Sequence, residues 1–133
     1  MVRQGFSVGS RDWYVMCYYD IRTDSDLDEV HDALIAGGCA DIMAREAIRV
    51  LSGWNKGYTF SNLKDHLSLV FIGKAVDAEQ MYDSIQHELK HVTEHISDAY
   101  GVDPKGEESA YLQGELGRKM FPAAAYVICP HCN

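Results

Sequence analysis

Two histidines and a glutamate lie close together in the segment HELKH, which runs from His87 to His91. Residues four apart lie on the same side of an α-helix, so His87 and His91 would aim two imidazoles at one point. Imidazole is a preferred zinc ligand, and a neighbouring glutamate can act on a water molecule held by the metal. The spacing predicts a Zn²⁺ site with His87 and His91 as ligands and Glu88 as general base in a hydrolysis.

The helix that would carry this motif can be located from its ends and its apolar positions. Asp77 is suited to be the N-cap, with Gln80 completing a capping box, and Gly101 supplies a stop after about position 100. At about 100° per residue, His87 and His91 lie on the flank of an apolar stripe that faces the core. The residues of that stripe are Met81, Ile85, Leu89, Val92, Ile96 and Ala99. A second element could therefore cover the two histidines.

A third protein ligand for zinc is expected on the final predicted helix. That helix is predicted to start at Asp103-Pro104 and to run to about Phe121, before Pro122. Glu107 shares a helix face with small residues, namely Ala110, Gly114 and Gly117. Because glycine inside a helix costs about 1 kcal/mol, a face of small residues indicates close contact with another helix. We predict that this contact is with the motif helix and that it brings Glu107 to the metal.

Other interpretations of these residues stay open. His95 could reach toward the metal, but it lies about 80° from His87 around a straight helix. Glu107 is alternatively a first-turn acid that the helix dipole favours. A chance HExxH on a solvated helix is also compatible with this composition. Tyr111, close to the Glu107 face, is the first candidate for stabilising an oxyanion, although a packed aromatic ring explains it equally well. Further candidates for that role are Tyr100, His95 and His66.

A second set of potential ligands lies in the segment CPHC, at positions 129–132. One C-x-x-C pair is half of a structural zinc site, which Cys17, Cys39 or His131 could complete. A redox role needs a helix after the first cysteine, and none is predicted there. The alternative is a mobile tail, 122–133, that carries two reduced thiols.

The motifs together resemble the ImmA/IrrE family of zinc peptidases and, more broadly, the minimal gluzincins, whose third ligand is a glutamate on the next helix. The matching residues are His87, Glu88, His91, His95, Glu107, Ala110 and Pro122. Short proteins of phage and mobile elements in gut bacteria are also similar. The resemblance covers about residues 66–122. It implies a zincin-like fold and a cytoplasmic metallopeptidase that cleaves a regulatory protein, such as a repressor.

The remaining sequence predicts an α+β fold for residues 1–133, with a short sheet and helices packed on it. The segment 66–73 is apolar on both of its faces, so we expect it to be a strand covered on both sides. Its edge could pair with an extended substrate. Strands are predicted at 12–21, 58–61 and 66–73, and helices at 25–36, with Ser25 as N-cap, and at 39–51.

The bulk composition narrows the class of protein. Hydrophobic residues make up 47% of the chain, which is enough for a packed core. A net charge of −8 argues against nucleic acid and against anionic membranes as partners. The chain has no apolar run long enough to span a membrane and no signal-peptide pattern, which predicts a cytoplasmic protein. The expected partner is a protein or peptide substrate.

Two alternatives to a peptidase fit the same sequence. The first is a non-catalytic, phage-type interaction or regulatory protein in which a metal site only stabilises the fold. A structural site has no use for Glu88 and would more often be closed by a fourth protein ligand. The second is a metal hydrolase that acts on a small amide.

Overall fold

The computed structural model describes residues 1–131 and shows a four-stranded mixed sheet with helices on both faces. The strand order is β1-β2-β4-β3, in which β2 and β4 are parallel and each outer strand is antiparallel to its neighbour. The predicted α+β class is confirmed. In chain order the elements are β1 (Val2–Val8), β2 (Trp13–Ile21), α1 (Asp24–Ala36), α2 (Asp41–Leu51), β3 (Gly57–Asn62), β4 (Leu67–Gly73), α3 (Ala78–Ala99), α4 (Glu107–Ile128) and a 3₁₀ turn (Cys129–His131).

The central strand β4 explains why two layers of helices are needed. Leu69 and Phe71 belong to the apolar cluster beneath α1 and α2, whereas Val70 and Ile72 belong to the cluster beneath α3 and α4. All four side chains are at most 4% exposed. Burial of this strand on both sides is thus confirmed. However, β4 lies between β2 and β3, so its predicted edge pairing with a substrate is wrong. The outer strands are β1 and β3.

Strand β1 was not predicted, because polar residues interrupt its apolar alternation. Gln4 occupies an inward position, where its Oε1 accepts a hydrogen bond of 2.8 Å from the Tyr19 hydroxyl. Its Nε2 donates to the carbonyl oxygen of Lys119 at 2.6 Å. This one amide therefore connects β1 to both β2 and α4.

The helix caps differ from the predictions at two places. Helix α1 is capped by Thr23, whose side chain forms a reciprocal capping box with Asp26, so the assignment of Ser25 as N-cap is wrong. Helix α4 begins at Glu107 with Gly106 as its cap, instead of at Asp103-Pro104. The predicted N-cap of α3 is confirmed, since Asp77 Oδ1 accepts from the Gln80 amide at 2.9 Å, but the reciprocal bond of a capping box is not formed there.

The end of α4 also differs from the prediction. The helix passes through Pro122 and ends at Ile128, whereas the sequence predicted a stop at Phe121. Ala124 and Val127 are 8% and 4% exposed and belong to the core, so burial of this last part offsets the hydrogen bond that proline cannot donate. Of the predicted CPHC site, Cys129 and His131 lie in the 3₁₀ turn after α4, and Cys132 lies outside the described residues. Within residues 1–131, no helix is long and apolar enough to cross a membrane.

Replacing Pro122 by alanine is expected to stabilise the protein. Alanine restores an amide donor inside α4 and removes the clash with the preceding turn, a gain of about 1–2 kcal/mol after the entropy that proline removes from the unfolded chain is subtracted. Urea unfolding followed by circular dichroism measures this free energy. Pro104→Ala, in the turn before α4, is the matched control and should give no gain. A Pro122→Ala variant no more stable than the original chain would contradict this account of α4.

Candidate functional site

Helix α3 and the outer strand β3 together form the candidate site. The apolar stripe of α3 packs into the core against the sheet, except for Ala99, which is exposed near the end of the helix. Strand β3 runs beside the flank of this stripe. The alternate residues Gly57, Thr59 and Ser61 of β3 are small or polar, and all three meet side chains of α3. The motif residues therefore lie where the helix flank and the edge of the sheet meet.

The structure brings His87 and His91 together. Their Nε2 atoms are 3.1 Å apart and their ring centroids 4.7 Å apart. Two nitrogen ligands of one tetrahedral zinc ion, each at about 2.0–2.1 Å, would be about 3.3 Å apart, so the pair has the separation that a shared metal requires. The His87 side chain is 66% exposed, which leaves the pair open on one side. Without a metal, the same distance allows one neutral ring to donate a hydrogen bond to the other.

Glu88 lies next to this pair but is buried, at 3% exposure. Its Oε1 accepts a hydrogen bond of 2.8 Å from the Thr59 hydroxyl, and its Oε2 lies 4.0 Å from His87 Nε2. Burial raises the pKa of Glu88, while the Thr59 hydrogen bond and the nearby His91 and His87 oppose that shift. A carboxylate kept basic in this way beside potential metal ligands is typical of a general base.

The space around Glu88 depends on a glycine. A Cβ atom at Gly57 would lie 2.6 Å from Glu88 Oε2, so any other residue there would displace the carboxylate. Beside it opens a cavity of about 230 Å³, which is also lined by Asp83 and His87. A water molecule or a small part of a substrate fits in this volume.

The structure does not bring Glu107 to the histidine pair. In the α3–α4 hairpin, Ser97 Oγ lies 3.0 Å from Ser109 Oγ, and a Cβ at Gly117 would lie 3.5 Å from Leu89. This antiparallel register places Glu107 beside the end of α3, about 12 Å along the helix axis from His91 and about 18 Å from His87.

The face of α4 that carries Glu107 is also not the face that meets α3. Ala110 is exposed, and Gly114 has no atom within 4 Å of its Cβ position, so the predicted close contact is wrong there and holds only near Gly117. The buried face is formed by Ser109, Leu112, Leu116 and Met120. Tyr111 is 76% exposed on the outer side of the helix, away from the histidine pair. Within residues 1–131, no three His, Cys, Asp or Glu side chains are grouped so as to hold a metal ion.

A hydrogen-bonded chain across β3 and β4 was not predicted from the sequence. Trp13 Nε1 donates to Ser68 Oγ at 2.9 Å, Ser68 Oγ lies 2.7 Å from Ser61 Oγ, and Ser61 Oγ lies 2.7 Å from His95 Nδ1. Burial lowers the pKa of His95, and the neighbouring His91 lowers it further. One sequence feature could have indicated this chain of hydrogen bonds. Every second residue of β3 is small or polar, namely Gly57, Thr59 and Ser61, and these residues form a polar face toward α3.

The other predicted candidates lie elsewhere. His66 stacks on Trp13 with ring centroids 5.0 Å apart, and Tyr100 contacts both rings. Cys17 and Cys39 are buried in the clusters on opposite faces of the sheet, so they cannot complete one metal site together. Burial raises the pKa of the Cys17 thiol to about 12, which keeps it protonated.

Replacing Glu88 by glutamine is expected to stabilise the metal-free protein increasingly as the pH rises. The folded state favours the protonated carboxyl of Glu88, so the original chain loses stability when the pH rises above the ordinary value of 4.5 and through the raised pKa. Glutamine stays neutral and can still accept a hydrogen bond from Thr59. The measurement is urea unfolding of both proteins in EDTA between pH 4 and 8.

The control for this pH dependence is Glu94→Gln. Glu94 lies on the more exposed side of α3 and pairs with Lys90 at 3.3 Å, so its replacement should give no gain. A difference between Glu88→Gln and the original chain that is flat across this pH range would contradict the burial of a charged group at Glu88.

What the site offers is a pair of imidazole donors, a buried carboxylate with a hydroxyl partner, and a small cavity open beside them. Paired imidazoles are typical ligands of transition metals, and a buried carboxylate is typical of proton transfer. Comparison of the chain with protein-family models, with curated proteins and with solved structures finds no match.

Proposed function

We propose that this protein is a zinc-dependent hydrolase that cleaves a peptide bond, with His87 and His91 as metal ligands and Glu88 as general base. The observation that carries the proposal is the 3.1 Å separation of the two Nε2 atoms next to a buried carboxylate. The resemblance to ImmA/IrrE peptidases adds the proposal that the substrate is a regulatory protein.

Two imidazoles leave the metal short of protein ligands, and we propose that water would complete its coordination, since no third His, Cys, Asp or Glu of the described residues joins the pair. When bound, zinc would supply the Lewis acid that polarises a carbonyl group and acidifies water. The open side of His87 leaves access for a substrate.

Glu88 is the group that we propose to move the proton in this reaction. The Thr59 hydroxyl holds Oε1, which leaves Oε2 on the side of His87. We propose that Oε2 takes the proton from the attacking water and passes it to the leaving amine. The raised pKa of Glu88 suits both transfers, because the carboxylate is more basic than an exposed glutamate.

We propose that an extended peptide reaches this site along the outer edge of β3. This strand pairs with β4 on one side only, and Thr59 in its middle contacts Glu88. Strand addition at an open edge provides main-chain hydrogen bonds that do not depend on side chains. With Tyr111 on the outer side of α4, Asn55 is the nearer candidate for oxyanion stabilisation. Its Oδ1 accepts from the Val76 amide and its side chain lines the cavity.

Zinc binding is the first test of the ligand assignment. The purified chain should bind about one zinc ion, as measured by elemental analysis after dialysis. His87→Ala and His91→Ala should each weaken binding by at least about 10-fold. Glu107→Ala is the matched control on α4 and should bind like the original chain.

Two outcomes would contradict this ligand assignment. No zinc under zinc-replete conditions would leave the His87–His91 contact as an ordinary hydrogen bond. Loss of zinc in Glu107→Ala would show that the hairpin register rearranges when the metal binds.

Hydrolysis is tested separately with a library of fluorescence-quenched peptides. Glu88→Gln should retain zinc but lose at least about 100-fold in kcat/KM, because general-base catalysis contributes at least this factor. Glu94→Gln should retain activity. If the chain binds zinc at His87 and His91 but cleaves nothing in the library, the alternative of a structural metal site in an interaction protein is favoured.

A further inference from the structure

A second reactive group lies one helical turn beyond the histidine pair. Ser61 of β3 and His95 of α3 form a hydrogen bond of 2.7 Å between Oγ and Nδ1. Both side chains line a cavity of about 190 Å³ together with Leu63 and Asp98. A serine in contact with an imidazole beside a cavity is the arrangement that nucleophilic catalysis requires.

The direction of the hydrogen bonds follows from Trp13. An indole N–H can only donate, so Ser68 Oγ accepts from Trp13, and the Ser68 hydroxyl proton is free to point at Ser61 Oγ. Ser61 can then give its own proton to His95 Nδ1. In this arrangement each hydroxyl both accepts and donates, and Ser68 supports the negative charge that develops on Ser61 when its proton leaves.

Asp98 provides a negative charge near His95, the residue that would accept the proton. It lies three residues after His95 on α3 and lines the same cavity. A carboxylate there stabilises the imidazolium that forms when His95 accepts the serine proton.

We propose that Ser61 is a nucleophile, with His95 as its base, that reacts with neutral esters carrying a short apolar acyl group. Leu63, which is 55% exposed, provides an apolar wall, and Asp98 disfavours anionic donors. Ser61 Oγ bonds to the carbonyl carbon while its proton moves to His95. The ester C–O bond breaks, and the leaving alcohol takes that proton. Water then hydrolyses the acyl-serine, giving a carboxylic acid and the free Ser61 hydroxyl.

The test uses an alkyl fluorophosphonate, which bonds to activated serines with loss of fluoride, and the full chain in EDTA. Intact-mass and peptide mass spectrometry should show one adduct, located at Ser61. Ser61→Ala should show none, and His95→Gln should react at least about 100-fold more slowly, since the base is lost. Ser52→Ala, an exposed serine at the end of α2, is the control and should react like the original chain. p-Nitrophenyl acetate should be hydrolysed with the same dependence on these residues.

Two of the three contrary outcomes need only the unaltered chain, so a folding defect in a variant does not obscure them. No adduct, an adduct at another residue, or an adduct at Ser61 that forms equally fast in His95→Gln would each show that this chain of hydrogen bonds is structural only. Because EDTA is present throughout, failure of the zinc assignment does not affect this experiment. A negative result here likewise leaves the zinc assignment unaffected.

Discussion

Burial of the Glu88 carboxylate between α3 and β3 is the interaction on which the candidate site depends. A charged carboxylate is stable in such a place only with hydrogen bonds or cations around it, and here Thr59 and the neighbouring histidines supply them. Gly57 provides the room for the carboxylate. Strand β3 must therefore present a glycine and a hydroxyl on the face where an ordinary strand would present apolar side chains.

The polar face of β3 continues past Glu88 and sets the position of a second group. Ser61, two residues after Thr59 on the same face, contacts His95, which lies seven residues after Glu88 and therefore about two helical turns along α3. Strand and helix thus meet at two polar contacts, and along α3 His91 lies between them. Such contacts stabilise less than apolar packing would, and their retention is a common property of functional sites, where local stability is given up for chemistry.

In the hairpin of α3 and α4, the sequence correctly indicated a face of small residues on α4 but wrongly predicted that this face packs on α3. The small residues on α4 do indicate a face without bulky side chains, but the residues that pack on α3 are Ser109, Leu112, Leu116 and Met120. Because apolar burial contributes about 25 cal/mol per Å², the leucine and methionine face outweighs the glycine face in choosing the contact. Glu107 is carried to the far end of α3 as a result, away from the histidine pair.

The sequence by itself determined the features that depend on local periodicity. The i, i+4 spacing of His87 and His91 implied that their rings would meet, and the two apolar faces of β4 implied a layer of helices on each side, because both follow from fixed repeats of about 3.6 and 2 residues. Only the tertiary structure decided the strand order, the register of the hairpin and the partners of Glu88 and His95. These depend on which buried surfaces pack together across distant parts of the chain, and neither spacing nor composition carries that information.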